Sequence, residues 1–97
     1  MARQYYVYTI TNLINTVLYT GVTSNLILRI TQHREHKIEG FSKRYQLFKL
    51  LYYAETPDVR AALEEEKRIK HLTRKQKEKL INDFNREWTD LYPELLE

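Results

Sequence analysis

The sequence predicts an α/β-class fold of the α+β kind: a small three-stranded antiparallel sheet flanked by helices, in the order β-β-α-β-α-α. Three observations carry this expectation. "YYVYTIT" at 5–11 and "VLYTG" at 17–21 are aromatic and β-branched runs joined by a short asparagine-bearing linker, the pattern of an antiparallel hairpin. "KLLYYAE" at 49–55 is a third run of the same kind. The remaining stretches place apolar residues at helical spacing behind capping residues.

Along the first strand Tyr6, Tyr8 and Ile10 share a face; along the second, Val17, Tyr19 and Gly21 do. "NLINT" supplies the turn, with Asn12 and Asn15 suited to Asx or left-handed geometry. Pairing the two strands can set Tyr8 and Tyr19 on one side, but the register is open at this level. "TSN" at 23–25 offers three N-caps for a helix from Leu26 to His36. On it Leu26, Ile30 and His33 fall in one line, and His33 lies one turn beyond Arg29. Gly40 ends or interrupts this element, and "KIEGFSKRYQLFK" reads as a loop with a short helical turn.

Thr56 as N-cap with Pro57 at the first helical position starts a second helix, which carries Val59, Ala62, Leu63, Glu66 and Ile69 at helical spacing. A turn at "HLT" leads into "RKQKEKLINDFN", with Leu80, Ile81 and Phe84 on its apolar side. The tail "REWTDLYPELLE" is expected to pack Trp88 and Leu91 on the body, and Pro93 argues against an uninterrupted helix there.

A chain of 97 residues is expected to form one domain over 1–97, with a modest core and no cofactor-sized cavity. The absence of cysteine rules out disulfides, iron–sulfur clusters and thiolate zinc sites. "MARQYYVYTI" is neither a signal peptide nor a membrane span, so the cytoplasm is the expected location, with no membrane partner. No P-loop, HExxH, dinucleotide fingerprint or zinc-finger spacing occurs, and neither serine sits in a nucleophile elbow. His33, His36 and His71 are not spaced with acids as a metal cluster.

The net charge of +3 is unevenly spread. Residues 29–49 carry six Lys or Arg against two Glu, and 67–86 carry eight against two acids, whereas 55–66 and 87–97 are acidic. Such polarity suits a protein that lays a basic face on a polyanion. It suits a solvated lysine-rich helix equally well.

Among single residues Glu66 is the most informative acid. It lies four after Ala62 and three before Ile69, close to the apolar stripe, where a carboxylate needs a partner or a metal. A stripe-edge glutamate that reaches solvent, or pairs with a neighbouring lysine, explains the same spacing. Arg29, behind a polar cap, reads by itself as a surface helix arginine, and His33 as exposed or core-edge. Tyr19 stands out among eight tyrosines because Gly21 follows at an expected strand exit, where backbone or ligand approaches closely.

Taken in order, "YVY" at 6–8, "YTG" at 19–21, Arg29, His33 and Glu66 resemble the motifs of the GIY-YIG nuclease superfamily, and in particular its small, single-domain (UPF0213-like) members. The first triplet's tyrosine falls on Tyr8, and the second places Tyr19 and Gly21. The helix arginine falls on Arg29, the His-or-Tyr position on His33, the metal-binding glutamate on Glu66 in "EEEKRIK", and the late asparagine on Asn85. The likeness spans about residues 4–92, and "GFSKRY" with "REWTDL" supports the small-protein branch. Tyr6 and Thr20 depart from the nominal triplets, and His71 and Leu72 stand where the branch usually has glycine and tryptophan.

The resemblance implies a metal-dependent endonuclease that hydrolyses phosphodiester bonds of nucleic acid, with DNA the expected polymer and Mg²⁺, or alternatively Mn²⁺, the cofactor. Glu66 would anchor the metal, since a hard cation takes oxygen ligands and keeps several waters. Arg29 would offset charge growing on the phosphorus centre. Tyr19 is the candidate general base. Free tyrosine titrates near ~10, so it needs adjacent positive charge. His33 stays open as an alternative base, and Tyr8 and His33 as groups that orient water, bind phosphate or pass a proton. Gly21 and Asn85 are assigned structural or substrate-contact roles. The lysine-rich segment would contact backbone without reading bases. Binding of low specificity is expected, helped by a partner protein or a homodimer. The rival reading is a nucleic-acid-binding module without catalysis. A third is a protein-interaction domain that uses Tyr52, Tyr53 or Trp88.

Overall fold

A computed structural model describes residues 3–37 and 40–97. Strand β1 spans Tyr5–Thr11 and β2 Leu18–Thr23, helix α1 Leu26–Arg34 and the single-turn α2 Phe41–Arg44. They are followed by β3 at Lys49–Thr56, α3 at Val59–Lys70, α4 at Arg74–Phe84 and a terminal turn, α5, at Tyr92–Leu95. The sheet order is β2-β1-β3, antiparallel throughout. The predicted α+β order therefore stands; α2 is the short helical turn expected in the loop before β3, and α5 is an added turn in the tail. Part of the loop expected before β3, Ile38 and Glu39, lies outside the described residues.

Alternation along β1 divides the interior. Val7 joins Leu51, Tyr52, Ala62, Ile69 and Ile81 under α3 and α4. Tyr8 and Ile10 join Leu26, Ile30, Leu47 and Leu50 under α1, with Leu91, Tyr92 and Leu95 of the tail packed alongside. The sheet is thus covered on both faces, which a 97-residue chain needs if it is to bury enough apolar surface. Among the described residues no helix is long and apolar enough to cross a membrane.

Several boundaries differ from expectation. β2 runs two residues beyond Gly21, since Val22 and Thr23 still pair with Val7 and Tyr6. Gly21 is therefore inside the strand and not at its exit. Helix α1 stops at Arg34, and His36 adopts a left-handed backbone (φ 56°) that cannot continue a helix. Gly40 is the N-cap of α2 at φ 107°. The second long helix is capped by Asp58, whose carboxylate accepts from Arg60 N at 3.0 Å, and not by Thr56. Thr56 instead completes β3 and accepts from Asp58 N. On α3, Ala62 and Ile69 are buried as expected, but Val59 and Leu63 are exposed.

The tail has a definite job. β3 bulges at Leu51, because Thr9 faces Tyr52 while Ile10 faces Leu50. Asn85 Nδ2 donates to the Leu51 carbonyl at 3.1 Å and to Thr89 O, and its Oδ1 accepts from Thr89. Asp90 accepts from Leu50 N, and Leu91 N donates to Leu50 O. Arg34 clamps the same region, bonding Asp90 at 2.6 Å and stacking on Tyr92. The outer edge of β3 is thereby covered at Leu50 and Leu51, and Trp88 and Leu91 pack on the body as the sequence suggested.

Candidate active site

The centre of the site is a buried pair. Tyr8 points from β1 beneath α1, and its hydroxyl lies 2.9 Å from His33 Nε2. The ring lies across Gly21, its register partner on β2, so closely that a Cβ there would stand 2.6 Å from the Tyr8 oxygen. The glycine is required for space.

The other ring nitrogen of His33 is also engaged: Nδ1 lies 2.8 Å from Ser42 Oγ on α2. Residues Tyr8, His33 and Ser42 are at most 4% exposed. Burial, seconded by the Arg29 charge, lowers the His33 pKa to about 4, so the ring is neutral near pH 7. A neutral imidazole has one N–H. The Tyr8 and Ser42 hydroxyls each bond one ring nitrogen, so one of them donates to the imidazole and the other accepts its single proton. Burial, with the neighbouring Tyr19 second, raises the Tyr8 pKa well above the usual phenol range. Tyr8 therefore stays protonated.

Around this pair stand groups that reach solvent. Tyr19, diagonal to Tyr8 across the hairpin, sets its ring centroid 6.5 Å from that of Tyr8 and 5.9 Å from that of His33. Arg29 on α1 acts electrostatically on both Tyr8 and His33, and Glu66 on α3 acts on Tyr8. Arg29 forms no ion pair among the described residues. The Glu66 side chain is 22% exposed, with Lys70 Nζ 3.3 Å from its Oε2. Lys70 also lies over the Tyr19 ring, 5.7 Å from its centroid. Phe41 stacks on Tyr19, and Tyr45 follows on Phe41 at 4.6 Å, which makes an exposed aromatic row beside the site.

Of the residues singled out from sequence, Tyr8, Tyr19, Gly21, Arg29, His33 and Glu66 come together. Asn85 does not: its amide is spent on the bulge and the tail, a structural role. Ser42 was missed, although "GFSKRY" was noted, because only the tertiary contact with His33 distinguishes it from any loop serine. The basic segment is partly self-neutralised. Arg68, Lys70, Arg74 and Lys79 pair with Glu65, Glu66, Glu78 and Asp83. Lys67, Lys75, Lys77 and Arg86 have no ion pair among the described residues.

Among the described residues no three His, Cys, Asp or Glu converge as a metal cage. A lone carboxylate on an open face suits a hard cation that retains most of its waters and takes further oxygens from a substrate, and does not suit zinc. Glu66 fits such a group.

Comparison with known proteins bears on this arrangement. Residues 4–79 match the family model described as the GIY-YIG catalytic domain. The chain belongs to the GIY-YIG family. It is 36% identical over 76 residues to UPF0213 proteins of Yersinia pestis and Yersinia pseudotuberculosis, covering 78% of this chain and 80% of theirs. It is also similar to the solution NMR structure of a UPF0213 protein from Bacillus halodurans, with a TM-score of 0.53 and 29% identity over 81% of this chain and 83% of that one. The GIY-YIG match takes in all of β1, β2, α1 and α3, the elements that hold Tyr8, Tyr19, Arg29, His33 and Glu66.

Proposed function

We propose that this GIY-YIG chain acts as a single-domain, metal-dependent endonuclease that hydrolyses phosphodiester bonds of nucleic acid, with DNA as the first polymer to test. One observation carries the reading. Tyr19, Arg29 and Glu66, from β2, α1 and α3, surround a buried neutral Tyr8–His33 pair and each keeps a path to solvent.

That geometry supports a division of labour. Tyr19, acting as the phenolate that the adjacent positive charge of Arg29 and a bound cation would favour, takes the proton of the attacking water and becomes the neutral phenol. His33 is a weaker candidate base, because both nitrogens are bonded and its pKa is near 4. Tyr8 and His33 hold Tyr19 from beneath as positioning residues. Arg29, without a carboxylate partner, faces negative charge that grows on the phosphoryl oxygens. Glu66 would hold Mg²⁺ or Mn²⁺, which when bound would polarise the phosphate and favour departure of the 3′-oxygen. The aromatic row and the unpaired cations of 67–86 give bases and backbone phosphates something to lie against.

The test is cleavage of labelled duplex, branched and single-stranded DNA and RNA by wild type, Glu66→Ala and Tyr19→Phe, in Mg²⁺, Mn²⁺ or EDTA. Metal-dependent cutting that both folded variants lose by 100-fold or more (about 3 kcal/mol in barrier) supports the assignment. Binding without cutting, or cutting that survives in both variants, replaces it with a non-catalytic binding module.

A further inference from the structure

Lys70 is the one cation among the described residues that touches two of the outer site groups. It is four residues from Glu66 on α3, so the two side chains leave the same helical face one turn apart. Its ammonium is 3.3 Å from Glu66 Oε2 and 5.7 Å from the centre of the Tyr19 ring on β2. Arg68–Glu65 on the same helix is also an ion pair, but neither partner belongs to the outer site.

We infer that Lys70 is a working residue of this site with two positions: on Glu66 while no divalent cation is bound, and turned toward the substrate phosphate once one is. This rests on the metal-binding role proposed for Glu66. An ammonium and a divalent cation repel each other at contact distance, so one carboxylate does not hold both closely. Water reaches both halves of the i,i+4 ion pair, 47% of the lysine side chain and 22% of the glutamate, so the pair is weak and opens. The four-carbon stem lets Nζ leave the carboxylate and still remain over Tyr19, where the water and the phosphate meet. Lys70 therefore weakens metal binding in the free protein and strengthens the hold on the polyanion.

Neutralising Lys70 should move the two affinities in opposite directions. The experiment uses the full chain. Mg²⁺ is titrated into ¹⁵N-labelled protein, following the amides of residues 66–70, and a labelled phosphorothioate oligonucleotide, chosen to resist cutting, is titrated separately in saturating Mg²⁺. Lys70→Met is expected to bind Mg²⁺ roughly three- to tenfold more tightly and the oligonucleotide several-fold more weakly. Lys70→Arg should return the metal affinity toward that of wild type. Lys67→Met, which removes an equal charge one turn away, should move Mg²⁺ affinity less than about twofold. An unchanged Mg²⁺ affinity in Lys70→Met, or an equal shift in Lys67→Met, overturns the inference. Glu66→Gln separates this failure from a deeper one. If it responds to Mg²⁺ as wild type does, or if wild type shows no response at residues 66–70, the metal role of Glu66 falls, and this inference falls with it.

Discussion

Replacing Gly21 by alanine should cost more than its single methyl group suggests. Gly21 needs no special backbone conformation; the constraint is the Tyr8 ring lying across it. The added Cβ would stand 2.6 Å from the Tyr8 hydroxyl oxygen and 2.8 Å from Cζ, both well inside contact distance. Tyr8 is 1% exposed and tied to His33, so the ring has little freedom to yield. Overpacking costs about 1–3 kcal/mol, and displacing the hydroxyl from His33 adds about 1 kcal/mol. The expected loss is about 2–4 kcal/mol by urea denaturation, a fall in Tm on the order of 10–20 °C for a chain this size. Tyr8→Phe removes the shorter contact. Gly21→Ala should therefore cost less in that background, with a coupling of about 1 kcal/mol. A Gly21→Ala protein within about 0.5 kcal/mol of wild type, or strict additivity with Tyr8→Phe, would refute this account of the glycine.

Other consequences are also measurable. His33 is neutral when folded down to about pH 4 but protonates near 6.5 when unfolded, so the unfolded chain binds the extra proton between those values. Stability from this group is full above pH 6.5 and declines as pH falls toward 4, by up to about 3 kcal/mol. The difference between wild type and His33→Gln across pH 4–7 isolates it, and an NMR pKa for His33 near 6.5 would contradict it. Ser42→Ala should loosen the imidazole, lowering stability by about 1 kcal/mol and letting ¹⁵N NMR detect both His33 tautomers, while Ser42→Thr keeps one. A single unchanged tautomer in Ser42→Ala argues against the role. Asn85→Ala leaves the Leu51 carbonyl at the bulge without its partner and should cost about 2–3 kcal/mol in urea, leaving metal affinity unchanged. A loss below 0.5 kcal/mol would show the bulge does not depend on it.

The strands were legible because side-chain alternation is a local property: "YYVYTIT" marks β1 to the residue, and "KLLYYAE" falls one short of β3. The helices were legible for the same reason, but their ends were not, nor was which stripe residues are buried, since Val59, Leu63 and Phe84 stay exposed. Thr56 and Asp58 are both good caps, and the choice between them was made by how far β3 stays paired with β1. Gly21 was noticed and its purpose misplaced. Nothing local says that the strand continues past it or that a tyrosine lies across it.

By itself, then, the sequence determined the strand faces, the helical stripes and the order of the residues that place this chain in the GIY-YIG family. All of these depend on neighbours in the chain. Tertiary structure alone decided that Tyr8 and His33 are buried and neutral while Tyr19, Arg29 and Glu66 reach outward, and that Ser42 completes the buried group. It alone spent Asn85 on a bulge and set Lys70 between Glu66 and Tyr19. Burial and partner choice arise where distant segments meet, and protonation follows from them. Residues 25 apart, such as Tyr8 and His33, carry no sign in the sequence that one hydroxyl will find one imidazole.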